Sequence, residues 1–423
     1  MNRKLTILLY SSLILSVSVN VETFVRADAA SGWIKTFGGT DRELARCVIQ
    51  TSDGGFLMAG YTRTFGAGLN DVWLVKTDVN GNMQWNKTYG GTEDDEAYWV
   101  IQTTDGGYAV ACWSYSLGGR VWLIKTDANG NQQWNKTYGN SQEQIPHAIV
   151  QTSDGGYAMA CYLRDGTQSY FWLIKTNSNG VVLWDKTYGA TGKDQALCLV
   201  KTSDGGYALG GVANHAIIVG QSSFELVKTD GNGNMQWDKT YGGTGSYIAY
   251  SLIQTSDGGY AIAGKADPKA LSGKGQASFW LVKTNSSGNM EWNMTYGGLV
   301  YDVAYSLCNA SDNGYAIAGY QSFSGGGYGP WLIKTDSMGN AQWNATYGGG
   351  MANCVIMTND GGFVLAGYTN WDFLLIKTDA GGAIPEFSPL VILPLLVITT
   401  LLSVVLYRKK SIRIKQHGVY INS

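Results

Sequence analysis

The chain has 423 residues, 57 of them glycine, with 12% aromatic and only 15% charged side chains and a formal net charge of −2. The two ends hold eight of its 30 basic and three of its 32 acidic residues, which leaves 22 basic against 29 acidic side chains between them. A mildly acidic, glycine-rich body excludes nucleic acid and anionic lipid as partners of that central region, because both demand basic patches.

Arg3 and Lys4 precede an apolar run from Leu5 to Val19, and Ala27-Asp28-Ala29 offers a small-x-small cleavage site. Residues 1–29 are therefore predicted to be a secretory signal and not part of the fold. Just beyond them Trp33-Ile34-Lys35-Thr36-Phe37-Gly38-Gly39 forms a lone strand-like run.

From there a unit of about 51 residues repeats. Seven times an Asp-Gly-Gly or Asp-Asn-Gly turn is followed at once by Tyr or Phe, the Asp being Asp53, Asp105, Asp154, Asp204, Asp257, Asp312 and Asp360. Each unit reads as four short aromatic or β-branched runs bounded by Gly, Asp or Asn. In the fifth unit these are Ala249–Thr255, Tyr260–Gly264, Phe279–Thr284 and Glu291–Tyr296. Asp-Gly and Asn-Gly turns suit tight antiparallel hairpins, because glycine accepts positive φ without steric cost. The expected fold is all-β, a seven-bladed β-propeller of four-stranded blades at residues 30–383. The last unit ends at its third strand, Phe373–Thr378, and the lone run at Trp33 is a fourth strand without a blade. The two fragments complete one blade, so the ring is predicted to close there and lose its free edges.

The repeat resembles a family found in archaeal and bacterial surface proteins, with Asp-Gly-Gly-Tyr-x-x-Ala-Gly, then Trp-Leu-x-Lys-Thr-Asp, then Trp-x-Lys-Thr-Tyr-Gly-Gly. Asp257 to Gly264, Trp331 to Asp336 and Trp85 to Gly91 carry the pattern. The resemblance covers residues 31 to 380 and implies a fold and a location rather than a reaction.

Several columns of the repeat invite functional stories. Lys76, Lys125, Lys175, Lys228, Lys283, Lys334 and Lys377 share one position. They read as scaffold, a packed stem with its charge paired to a turn Asp, because stacked repeats need identical interfaces. The Asp-x-Asn-Gly-Asn segments at Asp78 and Asp230 faintly resemble calcium loops but lack the 12-residue spacing and terminal Glu, so hairpin turns are the simpler reading and calcium the alternative. N-glycosylation sequons occur at Asn86, Asn135, Asn293 and Asn344 on the predicted outermost strands, and at Asn285 and Asn309. Of the six cysteines, Cys308 among them, Cys47, Cys198 and Cys354 stand where other repeats carry Trp99, Ala148, Ser251 and Ser306, and Cys112 and Cys161 where five repeats have Gly; they read as small core fillers, with Cys47 and Cys354 as ring neighbours that could bridge.

After the repeats, Phe387 to Tyr407 is a 21-residue stretch without a charge, followed by Arg408-Lys409-Lys410, Arg413 and Lys415. Its length fits one transmembrane helix and the basic cluster marks the cytoplasmic side. Residues 384–410 are thus expected to be a membrane anchor and 411–423 a cytoplasmic tail. Ile384-Pro385-Glu386-Phe387 resembles the Pro-Glu-Phe sorting tails of archaeal surface proteins, some of which are cleaved and replaced by a lipid anchor. A retained helix is the expectation here, since the chain runs on past the basic triplet.

Function is expected on the variable loops of the face opposite the Asp-Gly-Gly turns. Ten residues before the turn Asp, four units place a carboxylate, Glu43, Asp95, Asp194 and Asp302, where the others carry Gln144, Tyr247 and Gly350. These are expected to rim the central channel and to bind a cation or a sugar, with Tyr247, Tyr250, Trp99 and Trp113 as stacking surfaces. The only histidines are His147, His215 and His417, and no nucleophile–base or metal-spaced cluster can be assembled. Three readings follow: a surface-anchored binding or adhesion module for a glycan or envelope component, a carbohydrate-active enzyme using a pair of channel-mouth acids, and a structural envelope protein. The first is preferred.

Overall fold

The computed structural model describes residues 32–140, 143–189, 192–214, 221–268, 276–297 and 301–384. The predicted signal at 1–29, the apolar span and the basic tail lie outside the described residues. Among the described residues all regular structure is β, in 28 strands. They make five four-stranded antiparallel sheets and one eight-stranded sheet, which is two such meanders touching through one parallel bridge from Ser222 to Ser246.

The turn chemistry explains the hairpins. Gly54 sits at φ +83°, a conformation that a side chain at this position would resist. Asp53 folds back over the turn to accept hydrogen bonds from Thr51 Oγ1 and Gly55 N. A Cβ on Gly55 would come 2.7 Å from Lys76 Nζ, so the second glycine makes room for the lysine. Lys76 is buried, and its ammonium reaches Asp53 at 2.8 Å, Thr77 O at 2.8 Å and Gln84 Oε1 at 3.0 Å. All seven lysines make this pair with their turn Asp at 2.7–2.9 Å. The scaffold reading of that column therefore holds.

Neighbouring sheets lock through the outer strand. Trp33, Trp85, Trp134, Trp184, Trp237, Trp292 and Trp343 each stand over a glycine in the next sheet, where an added Cβ would come within 2.4–2.9 Å of the indole. Each indole also meets an aromatic ring of that sheet, from Phe56 through Tyr108 to Phe363, at 5.9–6.1 Å. Such contacts add to the area they bury. Trp33 makes the seventh of them, on Gly81 and Phe56, from the chain's first strand.

That first strand, Trp33–Phe37, pairs antiparallel with the last, Asp372–Thr378, placing Trp33 opposite Lys377 and Phe37 opposite Phe373. The predicted joining of chain start and chain end is thus present. The innermost strand of each sheet packs on the next, and Met351–Met357 packs on Glu43–Gln50. Asn359 N donates to Gln50 Oε1 at 3.0 Å across the same junction. Cys47 and Cys354 also lie there, buried, both thiols donating to Val48 O, and all six cysteines are free thiols. The expected core role fits five of them, while Cys308 is only half-buried.

Candidate ligand-binding face

The carboxylates expected on the channel rim are not there. Glu43, Asp95 and Asp302 are at most 1% exposed and Asp194 is 5% exposed. Glu43 accepts from Thr62 Oγ1 at 2.8 Å and Gly39 N at 3.2 Å, and Asp95 from Gly91 N at 2.7 Å and Ser116 Oγ at 2.8 Å. Asp302 takes Ser322 N at 3.0 Å, and Gln144 does the same service for Asn140 N. They clamp the loop that enters each inner strand, where backbone donors would otherwise be buried unpaired. Tyr247 fills the equivalent place in its sheet and packs on Trp280 at 5.1 Å. Trp99 is no stacking surface either, since it is wedged against the cores on both sides of its sheet.

What faces the middle of the ring is set by a bulge. In every inner strand the register slips at one residue: Arg46, Tyr98, His147, Leu197, Tyr250, Tyr305 or Asn353. A bulge leaves one residue unpaired and re-aims its side chain. All seven are half-buried. The Arg46 guanidinium lies 4.1 Å over Tyr98, Tyr98 meets His147 edge-on at 5.2 Å, and Tyr250 meets Tyr305 at 5.0 Å. Asn353 Nδ2 closes the circle on Ala45 O at 2.8 Å. Arg46 is paired with Glu96, and Glu96 also accepts from Asn70 Nδ2. Burial, then the Arg46 charge, pushes His147 down to about 3, so it is neutral. Burial lifts the Tyr305 hydroxyl to about 12. The bore is therefore mostly aromatic and uncharged, apart from one ion pair.

Above the bore the aromatic lining continues. Eight residues after each turn Asp stand Tyr61, Trp113, Tyr162, Val212, Lys265, Tyr320 and Tyr368. Trp113, expected as a stacking surface, belongs here; its indole N–H has no partner, and it meets the exposed Tyr115 at 6.0 Å. The other aromatics of this column were legible only by sorting the repeat position by position. From the bore a path of rings leads outward: Tyr305 to Tyr320 at 6.0 Å, Tyr320 to Tyr328 at 5.8 Å, and Tyr328 OH to Tyr368 OH at 3.4 Å. Tyr368 then stacks on Trp371, 6.4 Å away and 12° from parallel, and Arg42 caps Trp371 at 4.2 Å.

Trp371 is 54% exposed. With Asn370 it forms the two-residue turn between Phe363–Thr369 and Asp372–Thr378, at φ +48° and +71°. A turn with both central residues at positive φ prefers Asn-Gly. A tryptophan in the second place is strained by about 1–3 kcal/mol, the kind of cost that persists at ligand clamps.

The outer-strand sequons Asn86, Asn135, Asn293 and Asn344 are exposed. Each Oδ1 accepts an indole N–H from the adjacent strand, as Trp73 gives to Asn86, at 3.1–3.3 Å. Asp185 does the same for Trp172, so packing alone explains a polar residue in that column. Asn285 heads a turn and Asn309 is exposed at a strand end. In the segments compared with calcium loops, Asp78 and Asp230 spend their carboxylates on N–H donors of their own turns. Among the described residues no three His, Cys, Asp or Glu side chains converge on a metal position.

No protein-family model matches the chain, and no curated protein matches it. Solved structures do. The WD40 β-propeller domain of Doa1 is similar at 10% identity and a TM-score of 0.54, covering 81% of this chain and 95% of that one. The Pan2 WD40 domain of Neurospora crassa is similar at 11% identity and a TM-score of 0.51, covering 82% of this chain and 96% of that one. At such identity the likeness shows the fold, an all-β propeller built from repeats, and nothing about ligand.

Proposed function

We propose that the chain is a seven-bladed β-propeller, counting the eight-stranded sheet as two blades, that binds an extracellular carbohydrate on the face opposite its Asp-Gly-Gly turns. The observation that carries this reading is the path from Tyr305 to Trp371, which ends in an exposed indole held at positive φ. The apolar C–H face of a pyranose stacks on such rings, while tyrosine hydroxyls and Arg42 rim the path with hydrogen-bond donors. Rigid aromatic platforms of this kind lose little conformational entropy on binding. The export signal, the apolar span and the basic tail support display outside the cell with the tail inside. The exposed sequons would place glycans on the rim of the ring, away from the binding face.

Binding is favoured over turnover because Glu43, Asp95 and Asp302, the acids a glycosidase would have needed at the mouth, are buried and engaged in the loops. The test is a glycan array on the full chain, followed by titration of any hit and assay for its breakdown. Trp371→Ala is expected to weaken binding about tenfold, the worth of one stacking contact. An unchanged affinity in that variant removes the reading, and turnover of the bound glycan replaces it with the enzymatic one.

A further inference from the structure

One sheet breaks the repeat at its interface. Three residues before the interface lysine the sequence places Trp73, Trp122, Trp172, Trp280 and Trp331, with Leu374 in the last unit, but Glu225 in the fourth. In three sheets that indole packs on a phenylalanine of the preceding sheet: Trp73 on Phe373 at 4.5 Å, Trp280 on Phe224 at 4.5 Å and Trp331 on Phe279 at 4.6 Å. It also gives its N–H to the outer strand, as Trp172 does to Asp185 at 2.8 Å. Neither interaction exists at Glu225. Phe171 of the preceding sheet lies over Gly211, which stands opposite Glu225 in the ladder; a Cβ there would come 2.8 Å from the ring edge. Beside it is a cavity of ≈ 480 Å³ lined by Glu225, Asp238, Lys186, Tyr188, Val227 and Met235.

Glu225 is only 5% exposed, and its Oε2 is buried with no hydrogen-bond partner. An unpartnered carboxylate is among the costliest groups to bury, and a chain normally pairs or neutralises it. Burial, then the charges of Asp194 and Asp238, pushes this carboxyl up to about 8. The local potential therefore asks for a positive charge. Lys186 lines the cavity but lays its stem over Gly233 and makes no ion pair with Glu225. A metal ion would need several convergent oxygen ligands, and no such group of acids is present among the described residues.

We propose that this cavity binds an organic monocation, an ammonium or amidinium on a flat apolar body, with Glu225 as its counter-ion and the body resting where the other sheets place an indole. The apolar wall from Tyr188, Val227 and Met235 takes the body, and Asp238 borders the charged end. The site is independent of the carbohydrate face and stands or falls separately.

Calorimetric titration of the full chain with benzylammonium and benzamidinium tests it, with benzyl alcohol and Ca²⁺ as comparators. Both organic cations are expected to bind at one site, and Glu225→Gln to weaken them by about 30-fold or more, as removal of a buried charge partner does. Glu225→Trp restores the residue of the other sheets, with Asp238 standing where Asp185 accepts the indole N–H. That variant is expected to fold with an unchanged or higher melting temperature and to abolish binding by filling the cavity. Absence of binding to the wild-type chain overturns the proposal. So does equal affinity for benzyl alcohol, retention of binding in Glu225→Trp, or Glu225-dependent binding of Ca²⁺ in place of the organic cations.

Discussion

Replacing Lys76, Lys125 and Lys228 together by methionine would test whether the repeated Asp–Lys pair stabilises the ring through charge or only through packing. Burial works against ionisation of Asp53, Asp105 and Asp204, but the lysine bonds, with the Thr hydroxyl and Gly N–H, outweigh it and hold the carboxyls at about 2. From an unperturbed 3.8 this corresponds to about 2.4 kcal/mol per site before screening. The carboxylates are 52–56% exposed, so solvent reduces it to about 0.5–1 kcal/mol each. The sites are far apart and should add to about 2 kcal/mol. Because the folded carboxyls titrate below the unfolded ones, the native state gives up protons more readily. The stabilisation is therefore complete above about pH 4 and is lost as pH falls through 2. For a ring of this size about 2 kcal/mol is about 3 °C in melting temperature. Thermal unfolding followed by circular dichroism from pH 5 to pH 2.5 at fixed ionic strength should show the gap between wild type and variant shrink by about two-thirds of that amount, about 2 °C. A gap that stays constant with pH would refute the electrostatic account and leave packing of the lysine stem as the whole contribution.

Trp33→Ala should cost about 2 kcal/mol, less than a fully buried ring because Trp33 is half-buried, and hydrogen exchange should rise selectively in Glu43–Gln50 and Met351–Met357; unchanged exchange there would mean that the strand at Trp33 does not hold the ring shut. Glu225→Gln should flatten the pH dependence of stability: burial, then Asp194 and Asp238, raise the wild-type carboxyl to about 8. The folded wild type therefore keeps a proton that the unfolded chain releases, and it should lose about 3–4 kcal/mol relative to the variant between pH 5 and 8. Parallel curves would contradict this, whatever Asp194, Asp238 and Lys186 contribute. Trp371→Gly should raise the melting temperature by about 1–2 °C by relieving the positive φ while reducing glycan binding; a lower melting temperature would show that the turn is not strained.

The architecture was legible because a sevenfold repeat is its own alignment. The turn Asp, the lysines and the complementary ends at Trp33 and Phe373 were all found as constant positions, and the structure uses each of them as scaffold. The acidic column misleads because polarity alone does not tell which side of a strand a residue occupies. Glu43 shares the side of its strand with the buried Ala45, while Leu44 points the other way and is only half-buried. A strand alternates its faces, so the same count sends Asp95 to the side of Ala97, and the bulge at Tyr98 then turns Trp99 to the opposite side. The bulge that aims Arg46 and Tyr98 into the bore had no sequence signal that single-chain reasoning could use, and neither did the backbone of Trp371. In a repeat the scaffold is written in what recurs, and the function in what departs from it. Glu225 departs from a column of tryptophans and leaves an unpartnered carboxylate oxygen beside a cavity; Trp371 occupies a turn that favours glycine. Both departures carry a local cost. Costs confined to one copy are the places where a repeat protein has been shaped by something other than its own folding.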